Sequence, residues 1–406
     1  MTLNFQQVFD KIREIGLGAQ SRRENLERLR EQAGELLKAW ADKADELNAK
    51  LDRARQADPS IRCAIPLAGP LDAARDPEPA PANLTLIAAD GSQIAPDRHA
   101  SVLFSLVNVG AIVMRTGSGE APEIFTDSHL LFDDEIYTET GMLTSEAIEL
   151  QRDIAERRKL LELAKQVNGA ALSRRAEPVE ALSKGQVVAL TDGPVELWGA
   201  KNGGEDDYRK NLEIHKSILS QLEALGVTVA GYVDKPGADL VVRLLEIARL
   251  SSEEQFKDIR KQHSLRGVTD RWLYGRILKA GQRSAVFGMQ SGSRAHYTGD
   301  LALHFFYLNV GDGKHPSLVR VELPKWVADD EEKLNLLHAA LLDQCRMMGA
   351  KSYPYILHRA HEIAVVKFEE KRQVEQMLEL ELRKSGGEVE EGSNKQSAKD
   401  LPGRKR

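Results

Sequence analysis

Leu84-Thr85-Leu86-Ile87-Ala88-Ala89-Asp90-Gly91-Ser92 decides how the chain is read. Its first six residues are mostly apolar and predict a buried strand, and the Asp-Gly behind them predicts a turn at the strand's end. A strand that stops at an aspartate offers a carboxylate at the edge of a sheet, where a divalent cation can sit. The device recurs in Val187-Val188-Ala189-Leu190-Thr191-Asp192-Gly193-Pro194. Asp and Gly are favoured in turns for their own reasons, so either motif alone is equally a plain turn. Two of them, each behind an apolar strand, point to one metal site built from two strand ends.

Composition sets the bounds. At 406 residues the chain suffices for one large domain or two ordinary ones, and 42% hydrophobic with 29% charged residues is ordinary for a soluble globular protein. The net charge of −6 provides no global attraction to nucleic acid, so any DNA contact must come from a local basic patch. Cys63 and Cys345 are the two cysteines, without metal-ligand spacing, which predicts a reducing compartment. No apolar run approaches the ~18 residues of a membrane span, and a cytoplasmic protein is expected.

Residues 1–57 predict an N-terminal helical segment. Leu26, Leu29, Ala33, Leu36, Trp40, Leu47 and Leu51 fall on a seam of three- and four-residue steps among Arg, Glu and Lys, as an amphipathic helix or short coiled coil requires, with a break at Gly16 and Gly18. The seam suits packing on the chain's own domain and a dimer or partner helix equally. Residues 58–83, rich in Pro and Ala, read as a linker. Residues 383–406, ending in Gly-Arg-Lys-Arg, read as a disordered basic tail.

Between them, residues 84–382 read as one α/β domain. Residues 101–109 and 111–115 predict two further strands, antiparallel to the first. Residues 144–167 predict a helix whose Glu149, Asp153 and Glu156 share a face beside the apolar stripe; the plain reading of that face is a solvated acidic stripe. Residues 168–185 read as a loop or insertion. A strand to Asp192, a helix at 206–225 and a strand at 227–233 form a β-α-β alternation, which implies parallel strands. Residues 301–310 and 317–323 predict a strand pair, 331–348 an amphipathic helix, and a last helix starts near Pro354 and runs to about residue 382.

This order matches a ribonuclease-H-like mixed sheet flanked by helices, in which carboxylates from the first strand, first helix and fourth strand gather around divalent ions. Hard cations held by oxygen ligands suit phosphodiester cleavage. Mn²⁺ tolerates an added imidazole better than Mg²⁺. Ser-Tyr-Pro-Tyr-Ile-Leu-His-Arg-Ala-His-Glu, residues 352–362, carries such an imidazole. His361 can ligate a metal or transfer a proton, His358 competes for that role, and the plain reading of either is a satisfied helical histidine.

Six pieces in fixed order carry a resemblance: Asp90-Gly91-Ser92, Arg152-Asp153-Ile154-Ala155-Glu156, Thr191-Asp192-Gly193-Pro194, Gly281-Gln282-Arg283-Ser284, Arg320-Val321-Glu322-Leu323-Pro324, and Tyr353-Pro354 followed by Ala360-His361. Over residues 84–370 the chain resembles the NurA nucleases, which process DNA ends. The resemblance implies a homodimeric Mn²⁺-dependent nuclease, with 5′–3′ exonuclease and single-strand endonuclease activity. It also implies resection of DNA ends in double-strand break repair alongside a HerA-type hexameric ATPase. By motif it places the site on Asp90, Glu156, Asp192, Tyr353 and His361, with Asp90, Glu156, Asp192 and His361 as metal ligands. The helix offers Glu149 and Glu162 as alternatives to Glu156.

Two other classes compete. A binding module with a metal-adhesion site fits Asp-Gly-Ser, but Ile94 stands where an Asp-x-Ser-x-Ser motif needs its second serine. A coiled-coil scaffold with an inert globular part fits the N-terminal seam. An Asp-x-Asp phosphatase is disfavoured because Ser92 stands at its second Asp.

Overall fold

The structure, a computed structural model, describes residues 3–138, 141–174, 186–197, 205–349, 352–387 and 389. Two compact units divide the chain: residues 1–79 with 232–342, and residues 80–231 with 343–406.

The second unit is a mixed sheet flanked by helices, with the ribonuclease-H-like order expected from the sequence. Strand β1 (Leu84–Ile94) pairs antiparallel with β2 (Phe104–Arg115), and β2 pairs antiparallel with β3 (Glu123–Phe132). Helix α1 (Ser145–Arg174) leads toward β4 (Gln186–Asp192), which runs parallel to β1 with Thr191 opposite Ala89. Helix α2 (Glu205–Ala224) leads to β5 (Thr228–Val233), beside β4, so the order is β5-β4-β1-β2-β3. Helices α3 (Tyr355–Ala364) and α4 (Phe368–Lys384) complete the unit. Strand β2 is buried along all but its last residue, as its near-continuous apolar run requires of a strand covered on both faces.

Two glycines let the helices approach that sheet. A Cβ on Gly91 would stand 2.5 Å from Arg152 Cγ and 2.7 Å from Glu156 Oε1, both on α1. A Cβ on Gly110 would stand 2.4 Å from the Ala364 amide nitrogen of α3. Gly110 faces Asp90 across the ladder and Gly91 is the next residue along, so the two glycines present opposite faces of the sheet. Helix α1 therefore covers one face and α3 the other.

The first unit holds three N-terminal helices, Phe5–Leu17, Ala19–Trp40 and Ala44–Ala57. It also holds an antiparallel set in which Leu303–Asn309 lies between Phe287–Gln290 and Leu318–Pro324. Leu51 and Ala54 from the third helix pack with Ile61, Cys63, Ile247 and Phe256 in its core. Buried Asp270 accepts hydrogen bonds from the Val241 and Val242 amides, each 2.8 Å, and from the Tyr307 hydroxyl at 2.6 Å. It thereby satisfies the first turn of the buried helix Leu240–Ala248. No helix among the described residues is long and apolar enough to cross a membrane.

Several local expectations change. The chain does not turn at Asp90-Gly91; β1 continues to Ile94, because Gly91 is there for the approach of α1 rather than for a turn. Residues 104–115 form one strand, since the glycine at 110 makes room for α3 instead of ending the strand. Helix α1 extends through 168–174, and residues 175–185 lie outside the described residues. The last helix is two, divided at 365–367, where Val365 is extended and the Val366 amide donates to Ser92 Oγ at 3.2 Å. Residues 58–83 contain the short strands Cys63–Ile65 and Ala74–Arg75, which pair with Phe287–Gln290 and Arg283–Ser284. Residues 58–79 of the stretch read as a linker thus belong to the first unit, and residues 80–83 to the second. Of the tail expected from residue 383, Arg383 and Lys384 are the last residues of α4, and 388 and 390–406 lie outside the described residues.

Candidate active site

The Asp-Gly-Ser triplet on β1 has three separate tasks. Asp90 Oδ2 accepts a hydrogen bond from His361 Nδ1 at 2.7 Å. Gly91 admits α1, as above. Ser92 Oγ donates to the Ala364 carbonyl at 2.5 Å, and Asn108 Nδ2 donates to the same oxygen at 2.7 Å. That carbonyl lies at the C-terminal end of α3, where backbone acceptors lack partners within the helix. The two side chains therefore anchor α3 one turn from His361. At the other end, Gln344 Oε1 accepts from the Ile356 amide at 2.9 Å. Ser92 is thus committed to the backbone, which removes the serine ligand that a metal-adhesion site would need.

Asp192 closes β4, and here the turn is real: Gly193 has φ +84°, a conformation that favours glycine. A Cβ on Gly231 of β5 would stand 2.5 Å from the Gly193 carbonyl oxygen, so the turn lies directly on β5. Buried Arg157 ties α1 to it, donating to Thr191 Oγ1 at 2.5 Å and to the Pro194 carbonyl at 3.1 Å. Loss of water around the Asp192 carboxyl raises its pKa, and the nearby charge of Asp90 raises it further. The Tyr353 hydroxyl donates to Asp192 and partly offsets both effects.

Glu156 on α1 is 5% exposed. Burial pushes its carboxyl up to about 8, with Asp153 and Asp90 adding to the rise and Arg157 and Arg152 opposing it. Its Oε2 lies 3.4 Å from Arg157 and its Oε1 3.3 Å from Arg152 Nε. Arg152 also donates to Gln93 Oε1 and to Asp153 Oδ1, both at 2.8 Å.

Asp90, Glu156, Asp192 and His361 line one open cleft of about 570 Å³, with Arg152 and Arg157. Tyr353 reaches it through Asp192. The alternatives fall elsewhere. Glu149 is exposed and does not line the cleft, and Glu162 binds Lys159, which also pairs with Asp127. His358 lies 3.5 Å from Glu362 and is likewise off the cleft. Arg157 and Glu196 also line the cleft without a signal in the sequence reading, and so do Arg152 and Asp153, which that reading placed in the helix motif but gave no role in the site. The four-residue step from Arg152 to Glu156 was the available signal for one of them.

The donor set fits a hard divalent cation in kind, with three carboxylates and an imidazole, no thiolate, and an Asp192 carboxyl whose proton affinity is raised by burial and by the charge of Asp90. In the arrangement described, internal partners occupy these groups. His361 holds Asp90, the arginines hold Glu156, and Tyr353 holds Asp192. Among the described residues no three His, Cys, Asp or Glu side chains are clustered to hold a metal as they stand.

No curated protein sequence matches the chain. Among solved structures it is similar to the NurA nuclease from Sulfolobus solfataricus, with 13% identity over 93% of this chain and 98% of that one and a TM-score of 0.48. The catalytic domain of human Endonuclease V shares 16% identity over 82% of this chain and 96% of that one, with a TM-score of 0.30. LC9-RNase H1 shares 14% over 38% and 64%, with a TM-score of 0.20. The NurA domain family model matches residues 84–366, well over half of the sequence and all four of the cleft's candidate ligands, and the chain belongs to the NurA family.

Proposed function

We propose that the chain is a metal-dependent deoxyribonuclease that hydrolyses phosphodiester bonds at DNA ends. Membership of the NurA family supports the nuclease reading. The observation that carries it is the arrival of Asp90, Glu156 and Asp192 in one cleft from a strand, a helix and a second strand end, with His361 bonded to Asp90.

Asp90, Glu156, Asp192 and His361 would hold Mn²⁺, with Mg²⁺ as a substitute. A divalent cation there supplies positive charge for the scissile phosphate and the leaving oxygen. The chain's own residues provide the rest. By accepting the Nδ1 proton, Asp90 sets the imidazole's orientation and tautomer and leaves Nε2 as the nitrogen open to a ligand or a proton. Glu156, held mostly protonated below about pH 8 by its burial, must lose that proton to ligate, so binding a cation releases it. Tyr353 orients Asp192 through its hydroxyl. Arg152 and Arg157 bring positive charge to the cleft that a phosphodiester backbone meets favourably.

In this reading the protein is a cytoplasmic homodimer that resects ends with 5′–3′ exonuclease and single-strand endonuclease activity, beside a HerA-type hexameric ATPase. The primary test is Mn²⁺-dependent degradation of linear DNA by wild type and Asp90→Ala. Wild-type degradation that stops with EDTA and in the variant is expected; equal rates in both would discard the reading.

A further inference from the structure

In the first unit, two arginines lie on one tryptophan ring and a third lines the hollow beside it. Trp272 lies on the short helix Asp270–Gly275, and Arg276 follows it by four residues, so the two share a face. The Arg276 guanidinium lies 5.2 Å from the Trp272 ring centroid. Arg30, from the helix Ala19–Trp40, lies at the same 5.2 Å from that ring. Arg271 joins them around an open hollow of about 430 Å³, which Pro316 and Leu318 also line.

Charge around this hollow is not balanced. Arg30 pairs with Glu27 at 2.6 Å, yet its Nε is buried without a hydrogen-bond partner. Neither Arg271 nor Arg276 makes an ion pair with another described residue. No carboxylate lines the hollow. A guanidinium held on an indole face is kept in place by the ring's π-system, while its N–H donors, in its own plane, stay open to an anion. Arg276 held on the ring, Arg271 beside it and the second ring-held guanidinium of Arg30 match the chemistry of a nucleic-acid single strand, with phosphates for the guanidiniums and a base face for the indole. In a chain with a net charge of −6, this local cluster is the kind of patch that nucleic-acid binding demands.

We infer that Arg30, Arg271, Arg276 and Trp272 form a second, non-catalytic contact for the phosphodiester backbone of single-stranded DNA, carried by the unit that lacks the carboxylate cleft. The inference rests on the nuclease reading for the identity of its ligand. Its function is to hold substrate by a sequence-independent contact.

The test uses the full chain and a fluorescein-labelled oligothymidylate, with EDTA present to prevent cleavage, and reads anisotropy across a salt series. In the double variant Arg271→Ala/Arg276→Ala, affinity should fall roughly tenfold and the salt slope should lose about 1.4, from about 0.7 per phosphate contact. The Lys double variant should keep the wild-type slope, because it keeps both charges. Mn²⁺-dependent hydrolysis of bis(p-nitrophenyl) phosphate, which reads the cleft alone, should be unchanged in both variants. Wild-type affinity and slope in the Ala variant, with ester hydrolysis intact, would overturn this inference and leave the nuclease reading standing. No hydrolysis and no DNA binding by wild type would overturn the nuclease reading itself. Loss of slope in the Lys variant equal to that in the Ala variant would also overturn the inference. So would binding of polyglutamate at this patch with DNA affinity unaffected, which would assign it to an acidic protein segment.

Discussion

Gly110 and Ala364 touch backbone to backbone: a Cβ on Gly110 would stand 2.4 Å from the Ala364 amide nitrogen and 2.7 Å from the neighbouring Ala360 carbonyl oxygen. Gly110 lies opposite Asp90 in the β1–β2 ladder. The contact that lets α3 settle on β2 is therefore the one that brings His361 to Asp90.

Gly110→Ala should push α3 off the sheet, because its new atom meets backbone that cannot rotate away. A loss of about 1–3 kcal/mol in urea denaturation and a drop in Mn²⁺-dependent DNA degradation are expected together. Gly91→Ala meets side-chain atoms of Arg152 and Glu156 instead, which can shift, so its stability cost should be smaller while activity still falls. Wild-type stability and rate in Gly110→Ala would mean that α3 tolerates displacement.

His361→Ala should reduce DNA degradation about 100-fold or more, the scale of a positioned acid-base or ligand group, while His358→Ala should stay within about twofold. His358 faces Glu362 rather than the cleft. The rates belong at saturating Mn²⁺, so that weakened metal affinity is not read as lost chemistry. Small, equal effects would leave an all-carboxylate site.

Mn²⁺ should raise the melting temperature of the metal-free protein, since a ligand that binds only the folded state stabilises it by mass action. Asp90→Asn and Asp192→Asn should each abolish that rise without lowering the metal-free melting temperature, because each removes one of two charges that oppose each other. Zn²⁺ should give the weaker shift, as the site offers mainly oxygen donors. A Mn²⁺ shift that survives in both variants would place the cation elsewhere.

His215 provides a pH dependence independent of the cleft's carboxylates. Fully buried and donating to the Val195 carbonyl at 3.0 Å, it is pushed down to about 3, chiefly by burial and then by the charge of Arg157. The folded protein keeps it neutral, whereas the unfolded chain protonates it below about 6.5. Its stabilising effect is complete above pH 6.5 and is lost as pH falls toward 3. At 1.36 kcal/mol per unit, the loss is about 2 kcal/mol by pH 5. His215→Gln should show a flatter fall in stability between pH 7 and pH 5 than wild type in chemical denaturation, and parallel curves would count against this origin.

Much of the fold was legible in local pattern. The apolar run before Asp90, the run before Asp192 and the pair at 303–309 and 318–324 read as strands because strand periodicity is written within a few residues. The break at Gly18 between the first two helices was equally readable. The division at 365–367 was not. The sequence there is apolar and helix-compatible, and what ends α3 is Ser92, 272 residues away, bonding the Ala364 carbonyl.

The sequence by itself determined the type of the elements that carry the cleft, the two aspartates late in apolar runs, and the order strand, helix, strand in which the cleft's carboxylates occur. Each depends on neighbouring residues and on side-chain chemistry. The tertiary structure alone decided that Asp153 and Glu156 are the carboxylates of α1 that line the cleft, that Arg152 and Arg157 join them, and that residues 1–79 group with 232–342. It also decided that Gly91 and Gly110 serve close packing on opposite faces of the sheet rather than turns. These outcomes rest on distances between segments far apart in the chain, and a glycine that frees a turn is written the same way as a glycine that admits a helix.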